Sequence, residues 1–398
     1  MIKRIVYVIS LILFSACVCS AAKVEIGKNK EIIVNGKPFF PIMVWLEEEP
    51  GNMDKCVSIG INTFLGVWDQ TTSKAEKYLE ECKKRNAYAV ILVEETLKDH
   101  PSTLFWLHGD EPDMPGKDGK PRTPTSKTLE EYKRIKSIEK THPVFLNLTT
   151  KYDTKAGTEY KDVSFYRDYK DACDIISYDT YPIFGSMSED CLWWVASAAK
   201  ELRKLTDDKL PLGAVIETNA GSKWVTPSRQ RHPRPYEIRC EVWMAIVNGA
   251  TMICYFPHTW VDASDIGNPK SKVKRGESKY YSQYGIPEDN MAELKKINAQ
   301  ITKLTDVLCS ANVGGKVSKE ELSNGEIEIM AKENKDAMYV FAVNMKRKNE
   351  KVKFTVNGMK KGAKIEVDEE NRSIEAEDGS FMDDFSEHAV HIYKIPTK

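Results

Sequence analysis

Short runs of apolar, β-branched and aromatic residues alternate along this chain with amphipathic stretches. The runs predict strands over Phe39–Trp45, Thr63–Trp68, Ala87–Val93, Leu104–Gly109, Val144–Leu148, Ile175–Tyr181, Leu212–Glu217 and Thr251–Phe256. Several are continuously apolar, the pattern of parallel strands covered on both faces. Helical stretches fall between most of them. Ser73–Lys84 places Ala75, Tyr78, Leu79 and Cys82 at i, i+3, i+4 and i+7. Thr128–Lys140 opens with Thr128 three residues before Glu131, a capping-box pattern. Cys191–Thr206 and Pro235–Asn248 are amphipathic too, the second with Pro at its first turn. Strand–helix alternation sustained over eight strands predicts an α/β fold, a closed (β/α)8 TIM barrel. An open doubly wound sheet is disfavoured, because no Gly-rich phosphate loop follows the first strand.

Met291–Val307 reads as a closing helix, and after it the period changes. Ile327–Met330, Ala337–Asn344, Val352–Val356, Lys364–Val367 and Ala389–Tyr393 read as short strands joined by turns such as Asn357-Gly358 and Asp378-Gly379. The expected organisation is a barrel over 23–310 and a C-terminal antiparallel β-sandwich over 311–398. Residues 1–22 stand apart: Lys3 and Arg4 precede an uncharged stretch, Ile5–Phe14, and small residues follow at Ser20-Ala21-Ala22. This is the pattern of a signal peptide, too short to span a bilayer. Phe14-Ser15-Ala16-Cys17 also resembles a bacterial lipobox, so both a soluble exported form, periplasmic or secreted, and a lipoprotein tethered to a membrane through Cys17 stay open.

Hydrophobic residues make up 41% and charged residues 29% of the 398, which excludes a collagen, a disordered chain and a multi-span membrane protein. Lys and Arg total 58 against 59 Asp and Glu, so nothing funnels a polyanion and nucleic acid is not an expected partner. Beyond the leader, Cys56, Cys82, Cys173, Cys191, Cys240, Cys254 and Cys309 form neither a CxxC pair nor a Cys/His cluster. They read as core thiols, and no metal or organic cofactor is expected.

Active-site residues of such a barrel stand at the C-terminal ends of its strands. The fourth strand ends in His108-Gly109-Asp110-Glu111-Pro112-Asp113, the sixth in Tyr178-Asp179-Thr180-Tyr181, the seventh in Glu217-Thr218-Asn219 and the eighth in Pro257-His258-Thr259-Trp260. Trp45 ends the first, Trp68-Asp69 the second, Glu94-Glu95 the third, and Asn147 lies at the end of the fifth. One mouth thus receives carboxylates from five strands, with Trp and Tyr among them. Paired carboxylates suit glycosidic bond cleavage: one protonates the departing oxygen while the other attacks or steadies the anomeric carbon. Aromatic faces suit the C–H side of a sugar ring. The basic group Arg229, Arg231 and Arg234 after the seventh strand reads either as a solvated loop or as a clamp for a carboxylate- or sulfate-bearing sugar.

At these positions the chain resembles a known group. Asn35-Gly36-Lys37-Pro38-Phe39-Phe40-Pro41 looks like the entry strand of many barrel glycoside hydrolases, and Trp106–Asp113 resembles the fourth-strand signature of clan A, where Asn-Glu-Pro carries the acid/base. The resemblance implies Glu111 as general acid/base and Glu217 as nucleophile. It implies Tyr181 or Tyr178 as the hydroxyl that hydrogen-bonds the nucleophile, and Trp260 as the floor of a subsite. Asp110, Asn147, Asp179, Trp45, Trp68 and His258 complete the expected substrate-binding set. Asp110 replaces the clan's Asn, so the usual amide donor is missing from that position; an ionised Asp accepts only.

The expectation is an exported retaining glycoside hydrolase acting on an oligo- or polysaccharide, its two carboxyls about 5–5.5 Å apart. Two other readings remain open: a non-catalytic carbohydrate-binding protein on a barrel scaffold, and an inverting enzyme using Asp110 or Asp179 as base.

Overall fold

A computed structural model describes residues 21–397 except 159, 187, 278–282, 324 and 336. The expected leader therefore lies, up to residue 20 and including Cys17, outside the described residues. Eight parallel strands close into a barrel: Ile42–Trp45, Thr63–Leu65, Tyr88–Leu92, Thr103–Leu107, Val144–Thr149, Ile175–Asp179, Leu212–Glu217 and Ala250–Phe256. Each of the eight predicted runs supplies one strand, with ends displaced by at most three residues and Leu212–Glu217 matched at both ends. The first and second shorten most, by three residues each. Pro41, which has no N–H to donate, separates Ile42 from Lys37–Phe39, and that segment joins Val24–Ile26 and Ile32–Val34 in a small antiparallel sheet. Val24, Ile32 and Val34 of this sheet pack into the apolar cluster inside the barrel. The second strand stops at Gly66, whose φ of +88° side-chain-bearing residues rarely adopt.

The period of two decides which side chains face the barrel interior and which face the helices. Met43, Val90, Phe105, Phe145, Val215 and Met252 fill the interior. Their neighbours Ile42, Val44, Trp106, Leu146, Ile176, Ile216 and Ile253 face the outer layer. That layer is incomplete as a ring of α-helices. Pro50–Ser58, Thr72–Lys84, Thr125–Ile138, Trp194–Leu205, Pro235–Val247 and Glu288–Lys303 are α-helical. Only a single 3₁₀ turn, Glu95–Leu97, follows the third strand, and a longer 3₁₀ segment, Ser164–Asp171, follows the fifth. Helix Thr125–Ile138 begins a turn earlier than the capping-box pattern predicts. Pro124 occupies the cap, and the Thr128 hydroxyl donates back to the Pro124 carbonyl.

After the barrel, a three-stranded sheet (Val317–Glu321, Glu350–Val356, Ser380–Phe385) and a five-stranded sheet (Ile327–Asn334, Ala337–Asn344, Val390–Pro396, Lys364–Val367, Arg372–Glu375) enclose their own apolar core. All pairings in both sheets are antiparallel. The five-stranded sheet packs on helix Pro235–Val247, where the Trp243 and Phe341 rings stack with centroids 5.6 Å apart. The seven cysteines are free thiols, six of them buried.

Candidate active site

The fourth strand delivers its carboxylates through a strained turn. Glu111 has φ +44°, a left-handed conformation costly for a residue with a Cβ. Arg122 holds the turn from below, its Nη2 donating to the carbonyls of both Asp110 and Glu111 at 2.8 Å. The Glu111 N–H donates to the Asn147 carbonyl on the fifth strand at 3.1 Å. Asp113, fully buried, accepts from the backbone N–H of Thr149 at 3.0 Å and from the Tyr166 hydroxyl at 2.7 Å, which ties the same loop to the fifth strand. Burial pushes Asp113 up to about 6.

These constraints bring Glu111 against Asp179, the last residue of the sixth strand, and the two carboxyls are hydrogen-bonded to each other. Burial, then the charge of Asp110, pushes Glu111 up to about 7. Asp179 is raised by burial and next by the charge of Glu111. Two carboxyls in contact cannot both ionise cheaply, so the pair retains one proton near neutrality. Asp179 Oδ1 has no hydrogen-bond partner among the described residues. Asp110 is raised by burial against the opposing pull of Asn147, whose Nδ2 donates to Asp110 Oδ1 at 3.1 Å. The Asn147 amide is set in turn by Ser177, which donates to its Oδ1 at 2.7 Å.

Asp110, Glu111, Asn147 and Asp179 line one cleft of about 800 Å³ at the C-terminal mouth of the barrel. Trp45, Tyr181 and Trp260 line it as well, so seven of the expected site residues converge there. Phe256 continues the aromatic wall, its ring stacked on Trp260 with centroids 5.5 Å apart. The Tyr181 hydroxyl sits in the field of Asp179, Glu111 and Asp110.

Four expected site residues are placed elsewhere. Glu217 is fully buried and does not line the cleft. Its Oε1 accepts from the N–H of Ile183 at 2.7 Å and its Oε2 from the N–H of Phe184, at the start of the short helix Pro182–Ser186. Its carboxyl also faces Glu241 on helix Pro235–Val247, and the two carboxyls shift each other's titration. Alternation from Val215 points position 217 inward, but two backbone donors at a helix start outcompete that direction for a carboxylate. Val215 and Phe256 form the adjoining cleft wall instead. Tyr178 lies one residue out of register with the interior. It faces the outer layer and donates to the Val195 carbonyl at 2.9 Å. His258 is buried, with Nε2 2.7 Å from the Trp45 carbonyl, and burial pushes it down to about 4, so it is a neutral structural ring. Trp68 is half-buried beside the second strand and does not line the cleft. The proposed arginine clamp is also occupied: Arg231 forms a double hydrogen bond to Glu237 at 2.7 Å, and Arg234 pairs with Glu189 at 3.1 Å.

The cleft gains residues that sequence reasoning missed. Arg122 sits in a loop whose polarity carries no periodic signal. Trp194 begins the helix Trp194–Leu205, where an aromatic residue reads as packing. Lys223, Trp224 and Arg275 come from long loops after the seventh and eighth strands.

Residues 124–268 match a family model described as beta-galactosidase, Glyco_hydro_42. The matched stretch holds the fifth to eighth strands, with Asp179 and Glu217, and begins after Glu111. No curated protein matches the chain. Among solved structures, a protein named glycoside hydrolase aligns at 11% identity with TM-score 0.58, covering 94% of this chain and 96% of its own. A family 5 glycoside hydrolase from Bacteroides vulgatus ATCC 8482 aligns at 12% identity with TM-score 0.58, covering 94% and 93%. An Anoxybacillus alpha-amylase aligns at 10% identity with TM-score 0.51, covering 88% and 90%. At these identities the likeness is one of fold. Taken with the family-model match, it supports a glycoside hydrolase of clan A, an enzyme whose substrate is carbohydrate.

Proposed function

We propose that the chain hydrolyses O-glycosidic bonds by double displacement, with Glu111 as acid/base and Asp179, in place of Glu217, as the second carboxylate. The observation that carries this reading is the hydrogen-bonded contact of Glu111 and Asp179 inside the cleft, set against the enclosed position of Glu217. Single displacement needs a water between its carboxyls and hence a gap of roughly 6.5–9.5 Å, whereas double displacement works at about 5–5.5 Å. A pair in hydrogen-bond contact is nearer the second arrangement.

One proton shared by two carboxyls is the right starting charge. When a glycosidic oxygen lies against Glu111, its lone pair draws that proton as the bond to the anomeric carbon breaks. Asp179 is left ionised beside the carbon that is gaining positive charge, attacks it, and forms a glycosyl ester. Glu111, now a carboxylate, takes a proton from water, and the hydroxide displaces Asp179. Asn147 supplies the amide that position 110 lacks: one of its two N–H bonds serves Asp110, and the other is available to a sugar hydroxyl. Trp260 and Trp45 present rings to the sugar faces.

A mechanism-based 2-deoxy-2-fluoroglycoside, followed by peptide mapping, tests the assignment. The expected adduct is on Asp179, and NMR of the first-formed product shows retained anomeric configuration. An adduct on Glu217 overturns the residue assignment, and an inverted product overturns the mechanism.

A further inference from the structure

The cleft carries a second chemical character on the side away from its carboxylates. In a closed eight-stranded barrel the fourth and eighth strands stand opposite each other, so the loop after the eighth strand faces Glu111 across the mouth. That loop and the one after the seventh strand are stitched together. Trp260 N–H donates to the Gly221 carbonyl and Gly276 N–H to the Lys223 carbonyl, both at 2.8 Å. Gly221 permits the approach: it has φ +115°, and a Cβ there would fall 1.7 Å from Thr259 Oγ1.

The stitching sets one cation beside two indoles and a second in the same cleft. Lys223 Nζ lies 5.0 Å from the Trp224 ring centroid and 5.4 Å from that of Trp260. Arg275 lines the same cleft, one residue before the Gly276 N–H that bonds Lys223. Among the described residues neither Lys223 nor Arg275 forms an ion pair. This contrasts with Arg231 and Arg234, which face nearby carboxylates and are held by them. Indole faces hold an ammonium in place without neutralising it. A partly desolvated Lys and a neighbouring guanidinium fork therefore remain complementary to an oxyanion.

Building on the proposed glycosidase reading, we infer that Lys223, Trp224, Trp260 and Arg275 form a subsite for an anionic sugar residue, one bearing a carboxylate or a sulfate ester. The indoles take the ring and the two cations take the charged group. The carboxyl-rich floor around Asp110 and Asp179 repels an anion, so the charged residue sits in a subsite flanking the bond that is cleaved. The substrate class is thus an acidic oligo- or polysaccharide.

Equilibrium binding tests this without turnover. Titration calorimetry of the full chain carrying Glu111→Gln uses oligogalacturonate (carboxylate), a carrageenan oligosaccharide (sulfate, no carboxylate) and a neutral galacto-oligosaccharide. The expected result is at least tenfold tighter binding of one anionic probe than of the neutral one at low salt. That preference collapses at least fivefold in Lys223→Gln/Arg275→Gln and shrinks with added salt. Which anionic probe binds identifies the charged group. Equal binding of charged and neutral probes, no binding of either anionic probe, or a preference that survives the double substitution overturns the inference. Hydrolysis of any probe by the unsubstituted protein and not by Glu111→Gln reports on the catalytic reading separately, so the two can fail independently.

Discussion

Two coupled carboxyl pairs lie toward the C-terminal ends of the barrel strands, and they differ in what surrounds them rather than in how they titrate. Glu111 with Asp179 lines the cleft, and Glu217 with Glu241 lies behind its wall. Burial is the leading cause of the shift in all four, and it pushes Glu111 and Glu217 alike up to about 7. A displaced carboxyl is often taken to mark an active site. Here the same displacement marks one pair that lines the cleft and one that does not. Access discriminates: Glu111 and Asp179 line the cleft, whereas Glu217 and Glu241 do not, and both Glu217 oxygens are capped by the N–H groups of Ile183 and Phe184. Glu217 fixes the start of Pro182–Ser186, and hence the loop that carries Tyr181 into the site. Its part is to position that loop.

The largest effect that separates the pairs is on turnover. Glu111→Gln and Asp179→Asn each lower kcat by about 10²–10⁴-fold, the usual contribution of a positioned acid or base. Glu217→Gln and Glu241→Gln lower it by at most an order of magnitude, through loosening of the 181–186 loop. Initial rates on an aryl glycoside panel measure both, with circular dichroism to confirm folding. A folded Glu217→Gln as inactive as Glu111→Gln would end the distinction between the pairs. An activated leaving group sharpens it further. A phenolate that needs no proton restores much of the rate to Glu111→Gln and little to Asp179→Asn.

The next effect is on pH. Glu111 must hold a proton to assist departure, so kcat/KM falls as pH rises through about 7. The charge of Asp110 raises Glu111, and Asp110→Asn removes it, so that limb moves to lower pH. Glu217→Gln leaves the limb in place, because its proton is never exchanged with substrate. Rate profiles from pH 4 to 9 on one substrate distinguish the three variants.

How much of this the sequence disclosed depends on the physics behind each feature. The barrel was legible because eight buried strands need eight apolar runs, and here they alternate with amphipathic stretches. The fourth-strand carboxylates were legible because Asp110-Glu111-Pro112 lies at a strand end, where side chains must enter the mouth. Glu217 was legible as a strand end but not in its side-chain direction, although its backbone still pairs with Phe256 in the ladder. There the capping donors of a distant loop set its direction, and no spacing within Leu212–Glu217 records Ile183. Tyr178 and Asp179 show how sharp the dependence is: they are adjacent, alternate across the sheet, and end in the outer core and the cleft respectively. The cation pair on the far wall was illegible because Lys223 and Arg275 are 52 positions apart in loops without periodicity. Hydrogen bonds between the loops, Trp260 to Gly221 and Gly276 to Lys223 among them, bring them together.

The smallest effect concerns stability, and there the enclosed pair is the more informative. Glu217 and Glu241 are raised in the fold, so the native state binds their protons more tightly than the unfolded chain. The Glu217 contribution to stability is complete below the unfolded carboxylate value of about 4.5 and is lost as pH rises through about 7, and Glu241 acts in the same direction. The same sign holds for Glu111, Asp179 and Asp113, so Tm falls between pH 5 and pH 8, on the order of a few degrees. Glu217→Gln, neutral at every pH, removes its pair's share of that slope whether or not the cleft is occupied. Glu111→Gln also flattens the slope. The share it removes depends on occupancy, because a bound oligosaccharide changes the surroundings of the cleft pair alone. Calorimetric scans across this range, with and without oligosaccharide, separate the two contributions. A Glu217→Gln protein that kept the full slope would mean that the enclosed pair does not titrate in the fold, and the equivalence from which the comparison starts would be lost.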